Sequence, residues 1–425
     1  MEFDGTEDRN GNPRFGIVRG LLVAGAATAA VLAFVNEPAS VGGAQALASV
    51  ILPEPQAAQP VFAFRWTPAM VEALLVEIDA AKGEGLDAAP YRAEPIRAEL
   101  GRSGGSAQLD AMADAAALKL AQDYLLGRVS DRSGFDWHIE RKDGDLNQLT
   151  IAMKQAVAAG QVRLWLRSLL PSDARYVALR DALAATPATD QAGRDRLMAN
   201  MERWRWMPRD LGRDHIYVNV PSYTLDLVDD GKEVSTYTVV VGKPATPTPQ
   251  MTMTASSVVV NPSWTVPASI IRSSNLKPGK RGYKFVAAGG GRYAVVQAPG
   301  PGNALGKIKI DMPNPHAIYL HDTPAKAYFE KTSRAYSHGC IRVKDIDQLA
   351  EEIVRLDNGK LADFERGLAG RSTTTVKLGT ARPVWLVYFT ADTGPDGRVV
   401  ALEDPYNRDT RLIARLNGPT QLASR

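Results

Sequence analysis

One cysteine, Cys340, occurs in 425 residues, within Tyr336-Ser337-His338-Gly339-Cys340-Ile341-Arg342-Val343. A lone thiol forms no internal disulfide, and one sulfur makes no structural zinc site. Two uses remain for it, reactivity or packing. The thiolate is the nucleophilic form, and a nearby imidazole makes it easier to reach. Of the five histidines, His316, His321 and His338 lie within the 24 residues before the cysteine, whereas His138 and His215 have no such company. The cluster predicts a cysteine–histidine enzyme, with a buried inert thiol as the competing reading. His321 ends the apolar run Ile318-Tyr319-Leu320, and Cys340 follows nineteen residues later, just before a helical pattern. A chain that leaves a strand end and returns through a loop brings both residues to the same end of a sheet. There His321 can take the thiol proton and later protonate a leaving amine. Gly339 lets the backbone turn tightly beside the sulfur, and amides around Gly339 and Cys340 can stabilise an oxyanion. His338, two residues before the thiol, is expected to orient the loop or bond substrate. Arg342 presents a planar fork suited to a substrate carboxylate or to bracing the loop. His316 is expected to be structural.

The elements that must position these residues fall into two halves. Residues 63–205 read as helices. Val71, Leu74, Leu75 and Ile78 show helical spacing behind a Thr67-Pro68 start, and further helices are predicted over 109–126, 146–158, 162–170, 174–183 and 191–204. This half shows no catalytic cluster and is predicted to be a structural scaffold. From about His215 short β-runs take over: 216–220, 223–228, 234–241, 257–260, 307–310, 317–320, 383–389 and 398–402. Asp229-Asp230-Gly231-Lys232 and Gly394-Pro395-Asp396-Gly397 read as turns. One helix is predicted after the cysteine, capped by Asp345, striped by Ile346, Leu349, Ile353 and Leu356, and ended by Asn358-Gly359. Residues 261–306, rich in Pro and Gly and carrying Trp264, Tyr283, Phe285 and Tyr293, read as a loop covering the site, an ordinary surface excursion being the alternative. The fold class expected is α+β: an N-terminal helical domain, then a mainly β sandwich or barrel-like domain with a helix after the cysteine.

A net charge of +3 is too small to point to nucleic acid. Hydrophobic content of 45% is ordinary for a globular chain with a sizeable core. Residues 20–36, GLLVAGAATAAVLAFVN, carry no charge and follow Arg9, Arg14 and Arg19. They read as a signal peptide or short signal-anchor after a cytoplasmic tail (residues 1–37 together), with a buried core helix as the alternative. Residues 38–62, with Pro38, Pro53, Pro55 and Pro60, read as an extended tether. The remaining boundaries are a catalytic domain over 206–415 and a tail over 416–425.

Ser337-His338-Gly339-Cys340-Ile341-Arg342-Val343, preceded by Ile318-Tyr319-Leu320-His321-Asp322-Thr323-Pro324, resembles the active-site signature of the L,D-transpeptidases with a YkuD-type catalytic domain. The segments Glu202-Arg203-Trp204-Arg205-Trp206, Val239-Val240-Val241-Gly242-Lys243, Asn261-Pro262-Ser263-Trp264-Thr265-Val266-Pro267 and Pro299-Gly300-Pro301-Gly302-Asn303-Ala304-Leu305-Gly306 resemble the long, YcbB-like branch. The likeness covers roughly residues 195–415, and no room is left for the peptidoglycan-binding module that long-branch relatives often carry.

The resemblance implies a periplasmic enzyme of a Gram-negative-type envelope that forms 3→3 cross-links in peptidoglycan, possessing no metal or organic cofactor. Its donor is a tetrapeptide stem and its acceptor a diaminopimelate amine. Carried over, Cys340 attacks the third-residue carbonyl, D-Ala leaves, a thioester forms, and His321 is the acid/base. The resemblance also implies that a nearby backbone carbonyl orients His321, the Asp322 side chain being the other candidate. The site expected is therefore Cys340, His321, His338 and Gly339 for catalysis and Arg342, Ser337, Trp264 and Asp322 for substrate binding. Cell-wall synthesis proteins and the inner membrane, through residues 20–36, are the expected partners. An L,D-carboxypeptidase, an enzyme attaching protein to the wall, and a wall-binding scaffold with an idle site are the competing readings.

Overall fold

The structure, a computed structural model, describes residues 65–418 apart from 142–145, 274–275, 277–278, 280–281, 290–292, 358–359 and 395. The expected membrane segment, the tether and the last residues of the tail lie outside the described residues, as does Asn358-Gly359. No helix among the described residues is long and apolar enough to cross a membrane.

The helical half contains α1 (Pro68–Ala80), α2 (Ala93–Ser103), α3 (Ala107–Leu126), α4 (Leu146–Ala158), α5 (Val162–Ser168), α6 (Ala174–Ala185) and α7 (Gln191–Trp206), with a short strand β1 (Trp137–His138) after α3. Side-chain caps set several starts: Thr67 accepts from the Met70 amide, Ser106 from Leu109, Asp173 from Arg175 and Asp190 from Gly193. Val71, Leu74 and Ile78 of α1 share a core with Leu109, Leu120 and Tyr124 of α3, Met153 of α4 and Leu166 of α5.

The second half is built from β2 (His215–Asn219), β3 (Thr224–Asp229), β4 (Lys232–Gly242), β5 (Gln250–Val260), β6 (Trp264–Thr265), α8 (Ala268–Ser273), β7 (Tyr283–Ala287), β8 (Tyr293–Gln297), β9 (Ile308–Asp311), β10 (Leu320–His321), β11 (Ala335–Ser337), β12 (Ile341–Val343), α9 (Ile346–Leu356), α10 (Leu361–Ala369), β13 (Thr374–Val387), β14 (Ala391–Thr393), β15 (Val399–Ala401) and α11 (Arg408–Asn417). The strands run in the order β5-β13-β2-β3-β4-β12-β10-β9, and β9 pairs back onto β5. The sheet therefore closes on itself as a barrel, which removes its free edges. Its interior is filled by alternate residues such as Ile216, Val218, Leu225, Val239, Val258, Leu320, Ile341 and Leu386, and α9 and α10 add Leu349, Ile353 and Phe364 to the same core.

Three expectations change. Residues 261–306 are not one long loop: β6, β8 and β7 form a separate antiparallel sheet there, with Trp264, Val266, Val295 and Leu305 as its small core. The predicted strand over 317–320 is confined to Leu320–His321, because Ala317 takes a left-handed backbone (φ 53°). Asp345 does precede α9, but it is itself left-handed (φ 51°) and makes no side-chain cap.

The two halves share a core. β2 and β13 pair in parallel, and both of their faces are covered. Ile216 and Val218 point into the barrel, while Tyr217, Trp385 and Val387 point outward against Tyr176 and Leu179 of α6 and Leu197, Met201 and Trp204 of α7. The end of α7 is charged yet buried. Glu202 accepts from the Val129 amide at 2.8 Å, from the Trp206 indole at 3.1 Å and from Arg205 at 3.1 Å. Arg205 also donates to the Glu84 carbonyl and the Tyr176 hydroxyl. Arg203 pairs with Asp409 of α11 at 2.7 Å. Glu202-Arg203-Trp204-Arg205-Trp206 thus joins the scaffold to the barrel, and the sequence boundary at 205/206 falls inside one packed helix. Replacing Glu202 with alanine strands the fully buried Arg205 cation and should cost about 3–5 kcal/mol of stability. A depressed melting temperature checks this; an unchanged one contradicts it.

Candidate active site

The site follows from strand alternation. β10 and β12 pair in parallel, with Leu320 beside Ile341 and His321 beside Arg342. Leu320 and Ile341 enter the barrel core. Their neighbours Tyr319, His321, Cys340 and Arg342 must therefore face the other way. All four line one cavity of about 140 Å³, together with Trp264, Leu305, His316 and His338. A larger cavity of about 420 Å³ lies against the outer side of β2 and β3 and contains Arg175, Tyr217 and Asp226, but no cysteine. Chemistry, not size, selects the smaller one. Among the described residues no group of three or more histidines, cysteines or carboxylates is arranged to hold a metal ion.

The loop before Cys340 is clamped from both ends. Gly339 has φ +117°, a conformation that an L-residue adopts only with strain, and a Cβ there would press on Ile318 at 3.3 Å. The Ser337 hydroxyl donates to the Cys340 carbonyl at 2.5 Å and accepts from the Gly339 amide at 3.1 Å. Thr248, fully buried, donates to the Gly339 carbonyl at 2.7 Å and accepts from the Gly242 amide at 2.9 Å. Gly242 has no room for a side chain, because a Cβ would meet the Thr246 carbonyl oxygen at 2.4 Å. Val239-Val240-Val241-Gly242-Lys243 is thus the support on which the cysteine loop rests.

The imidazole is fixed as well. His321 Nδ1 sits 2.5 Å from the Asp322 carbonyl oxygen. A carbonyl only accepts, so Nδ1 carries the proton and Nε2 holds the free lone pair. Burial, then the Arg342 charge, pulls the His321 pKa down to about 3. Burial pushes the Cys340 thiol up to about 11, against opposing help from Tyr319, Arg342 and Lys309. At neutral pH the resting pair is therefore thiol and neutral imidazole, with the thiol donating to the Ala317 carbonyl at 3.4 Å. Alkylation of Cys340 by iodoacetamide, followed by intact mass, should be slow at pH 7. It should climb about tenfold per pH unit without a plateau through pH 9.5. A plateau near pH 8.5 contradicts a half-buried, unactivated thiol.

The other expected residues separate. Arg342 lines the cavity, its Nε has no hydrogen-bond partner, and burial lowers its pKa, so its guanidinium is available to an anionic group. His338 lines the cavity and is exposed. Trp264 reaches the site by donating from its indole to the Tyr319 hydroxyl at 3.0 Å. Ser337 is buried with its hydroxyl committed to the loop, which suits bracing and not substrate binding. The Asp322 carboxylate is turned away, accepting from the Lys307 amide at 2.8 Å, the Thr323 amide at 2.7 Å and Lys326 at 2.6 Å. Its backbone, not its side chain, orients His321. That carboxylate explains Gly306, where a Cβ would meet it at 2.3 Å. His316, expected to be structural, lines the cavity and packs at a tilt against His138, with ring centroids 4.6 Å apart. Tyr319 was absent from the expected site, although its position two residues before His321 was a usable signal.

Residues 213–386 match the family profile for the L,D-transpeptidase catalytic domain, YkuD, and residues 58–183 match a scaffold domain. A Haemophilus influenzae protein that carries the provisional name L,D-transpeptidase is 34% identical over 247 residues, covering 52% of this chain and 50% of the relative. The chain thus spans about half the length of that curated relative. Among solved structures, an L,D-transpeptidase from Mycobacterium smegmatis is similar at 15% identity and TM-score 0.24, covering 41% of this chain and 58% of that one. An Enterococcus faecium L,D-transpeptidase is similar at 14% identity and TM-score 0.19, covering 43% and 52%. At these TM-scores the likeness carries no structural weight, and the two sequence profiles supply the assignment. The chain carries a YkuD-type L,D-transpeptidase catalytic domain behind a scaffold domain.

Proposed function

We propose that this chain is a peptidoglycan L,D-transpeptidase that forms 3→3 cross-links through a Cys340 thioester. The observation that carries the proposal is the pairing of β10 with β12, which sets a thiol and an imidazole with a free Nε2 on one cavity. In the proposed reaction Sγ attacks the carbonyl of the third residue of a tetrapeptide stem as its proton passes to Nε2 of His321. Because the Gly339 amide is taken up by Ser337, the Cys340 amide is the loop N–H left for the oxyanion. The C–N bond then breaks, His321 returns the proton to the departing D-Ala amine, and the thioester remains. A diaminopimelate amine on a neighbouring stem attacks it, passes a proton to His321, and releases the sulfur. Arg342 is placed to hold a stem carboxylate. The action is extracytoplasmic, in the periplasm of a Gram-negative-type envelope. Attachment to the inner membrane through residues 20–36 and contact with cell-wall synthesis proteins belong to the same reading.

Water or a protein amine could accept the same acyl group, so the acceptor is read from products. Purified protein incubated with disaccharide-tetrapeptide is expected to yield cross-linked dimer by mass spectrometry. Tripeptide alone makes it a carboxypeptidase, and no turnover by folded protein makes it a scaffold.

A further inference from the structure

Tyr319 has no part in the reaction as written above, yet its surroundings single it out. The β10–β12 register, carried back one residue from Leu320 beside Ile341, sets Tyr319 across from Cys340, and the Ile341 amide donates to the Tyr319 carbonyl at 3.1 Å. Both side chains face the cavity. The ring is held on several sides: the Lys309 ammonium lies 5.0 Å from its centroid, and His321 meets it edge-on at 5.7 Å. Its hydroxyl oxygen accepts from the Trp264 indole at 3.0 Å. An indole N–H can only donate, so the phenol proton must point elsewhere. The Cys340 sulfur lines the same cavity.

We propose that Tyr319 is a catalytic residue whose phenol, aimed by Trp264 of the covering sheet, donates a hydrogen bond to the Cys340 sulfur as it becomes a thiolate. The thiol proton goes to Nε2 of His321. The phenol keeps its own proton throughout, and no other group changes its bonding. Burial, and then the Cys340 charge, hold the Tyr319 pKa above its ordinary value, so the phenol stays a donor at every working pH. The phenol and the Tyr319 backbone amide both act on the sulfur in the direction that favours its anion. The other charged or titratable groups facing the pair are His321 on β10, Arg342 on β12, Lys309 and Asp311 on β9, His316 before β10, and His338 in the cysteine loop. Trp264 is the positioning residue: it sits on β6, paired with Gln297 of β8, so the covering sheet is coupled to the nucleophile through one hydrogen bond.

The inference rests on the thiol being the nucleophile, as under Proposed function, but its test needs no stem peptide. Iodoacetamide alkylation of Cys340 is followed by intact mass from pH 6 to 9.5 in wild type, Tyr319→Phe and Trp264→Phe, with melting temperatures alongside. Tyr319→Phe is expected to slow alkylation about tenfold at pH 8, displacing the profile upward by about one unit. Trp264→Phe should shift it the same way by less. A folded Tyr319→Phe with the wild-type rate and profile overturns the proposal. If Tyr319→Phe does not fold, an unshifted profile in Trp264→Phe overturns it instead. A shifted profile in a protein with no activity on stem peptides leaves this role standing while removing the proposed function.

Discussion

Replacing Cys340 with alanine is expected to abolish covalent capture of a tetrapeptide donor altogether and to reduce product formation by about three orders of magnitude or more. The thiol is the only nucleophilic sulfur in the chain. Ser337, the serine in the same loop, does not stand in, because its hydroxyl is committed to the Cys340 carbonyl. The fold should tolerate the change. Cys340 only packs against the edge of the barrel core and donates a single weak bond to Ala317. Circular dichroism and melting close to wild type, with no adduct by intact mass, meet the expectation. A surviving adduct means that another residue is the nucleophile.

Replacing His321 with alanine is expected to slow acylation about 10²–10⁴-fold, the usual worth of a positioned base. The thiol does not ionise on its own near neutrality, since burial holds it at about 11, so the loss should be near the upper end. The same substitution alters acid stability, with a definite sign. The His321 pKa is depressed in the fold to about 3. Between that value and the ordinary imidazole range the unfolded chain binds one more proton than the folded one. Stability from this group is full above pH 6.5 and is lost as the pH falls toward 3. His321→Ala should therefore lose less stability between pH 7 and pH 4 than wild type does, as read by urea denaturation at each pH. An equal loss contradicts a buried neutral imidazole.

Elements whose signals are local were legible in the sequence. The β3–β4 hairpin announces itself through Asp230-Gly231, both at positive φ, and α3 through Ser106 and its apolar period. Elements defined by distant partners were not. Helix α2 starts from a left-handed Arg92 without a cap and buries only Ile96 and Glu99, so it carries almost no stripe. Helix α11 buries Arg408 and Asp409 beside Leu412 and Leu416, a face that is apolar only once Arg203 of α7 neutralises Asp409. The first half of β5 alternates Met251, Met253 and Ala255 into the core, a period that methionine and alanine hide.

At the site, Cys340 and His321 stand out in the sequence because thiol and imidazole are rare and close together, and the structure sets both on one cavity. Ser337 and Asp322 were assigned to substrate because residue type does not reveal where a hydroxyl or carboxylate is already spent. Tyr319 was missed because its partner Trp264 lies 55 residues away and is delivered by a sheet that reads as loop.

In the proposed reaction Cys340 carries the acyl group. Incubating the protein with disaccharide-tetrapeptide, quenching in acid and mapping peptides by mass spectrometry tests it most directly. A disaccharide-tripeptide mass is expected on the Cys340 peptide, lost with hydroxylamine and absent from Cys340→Ala. Turnover by folded wild-type protein with that mass on any other residue, or undiminished turnover by Cys340→Ala, contradicts it.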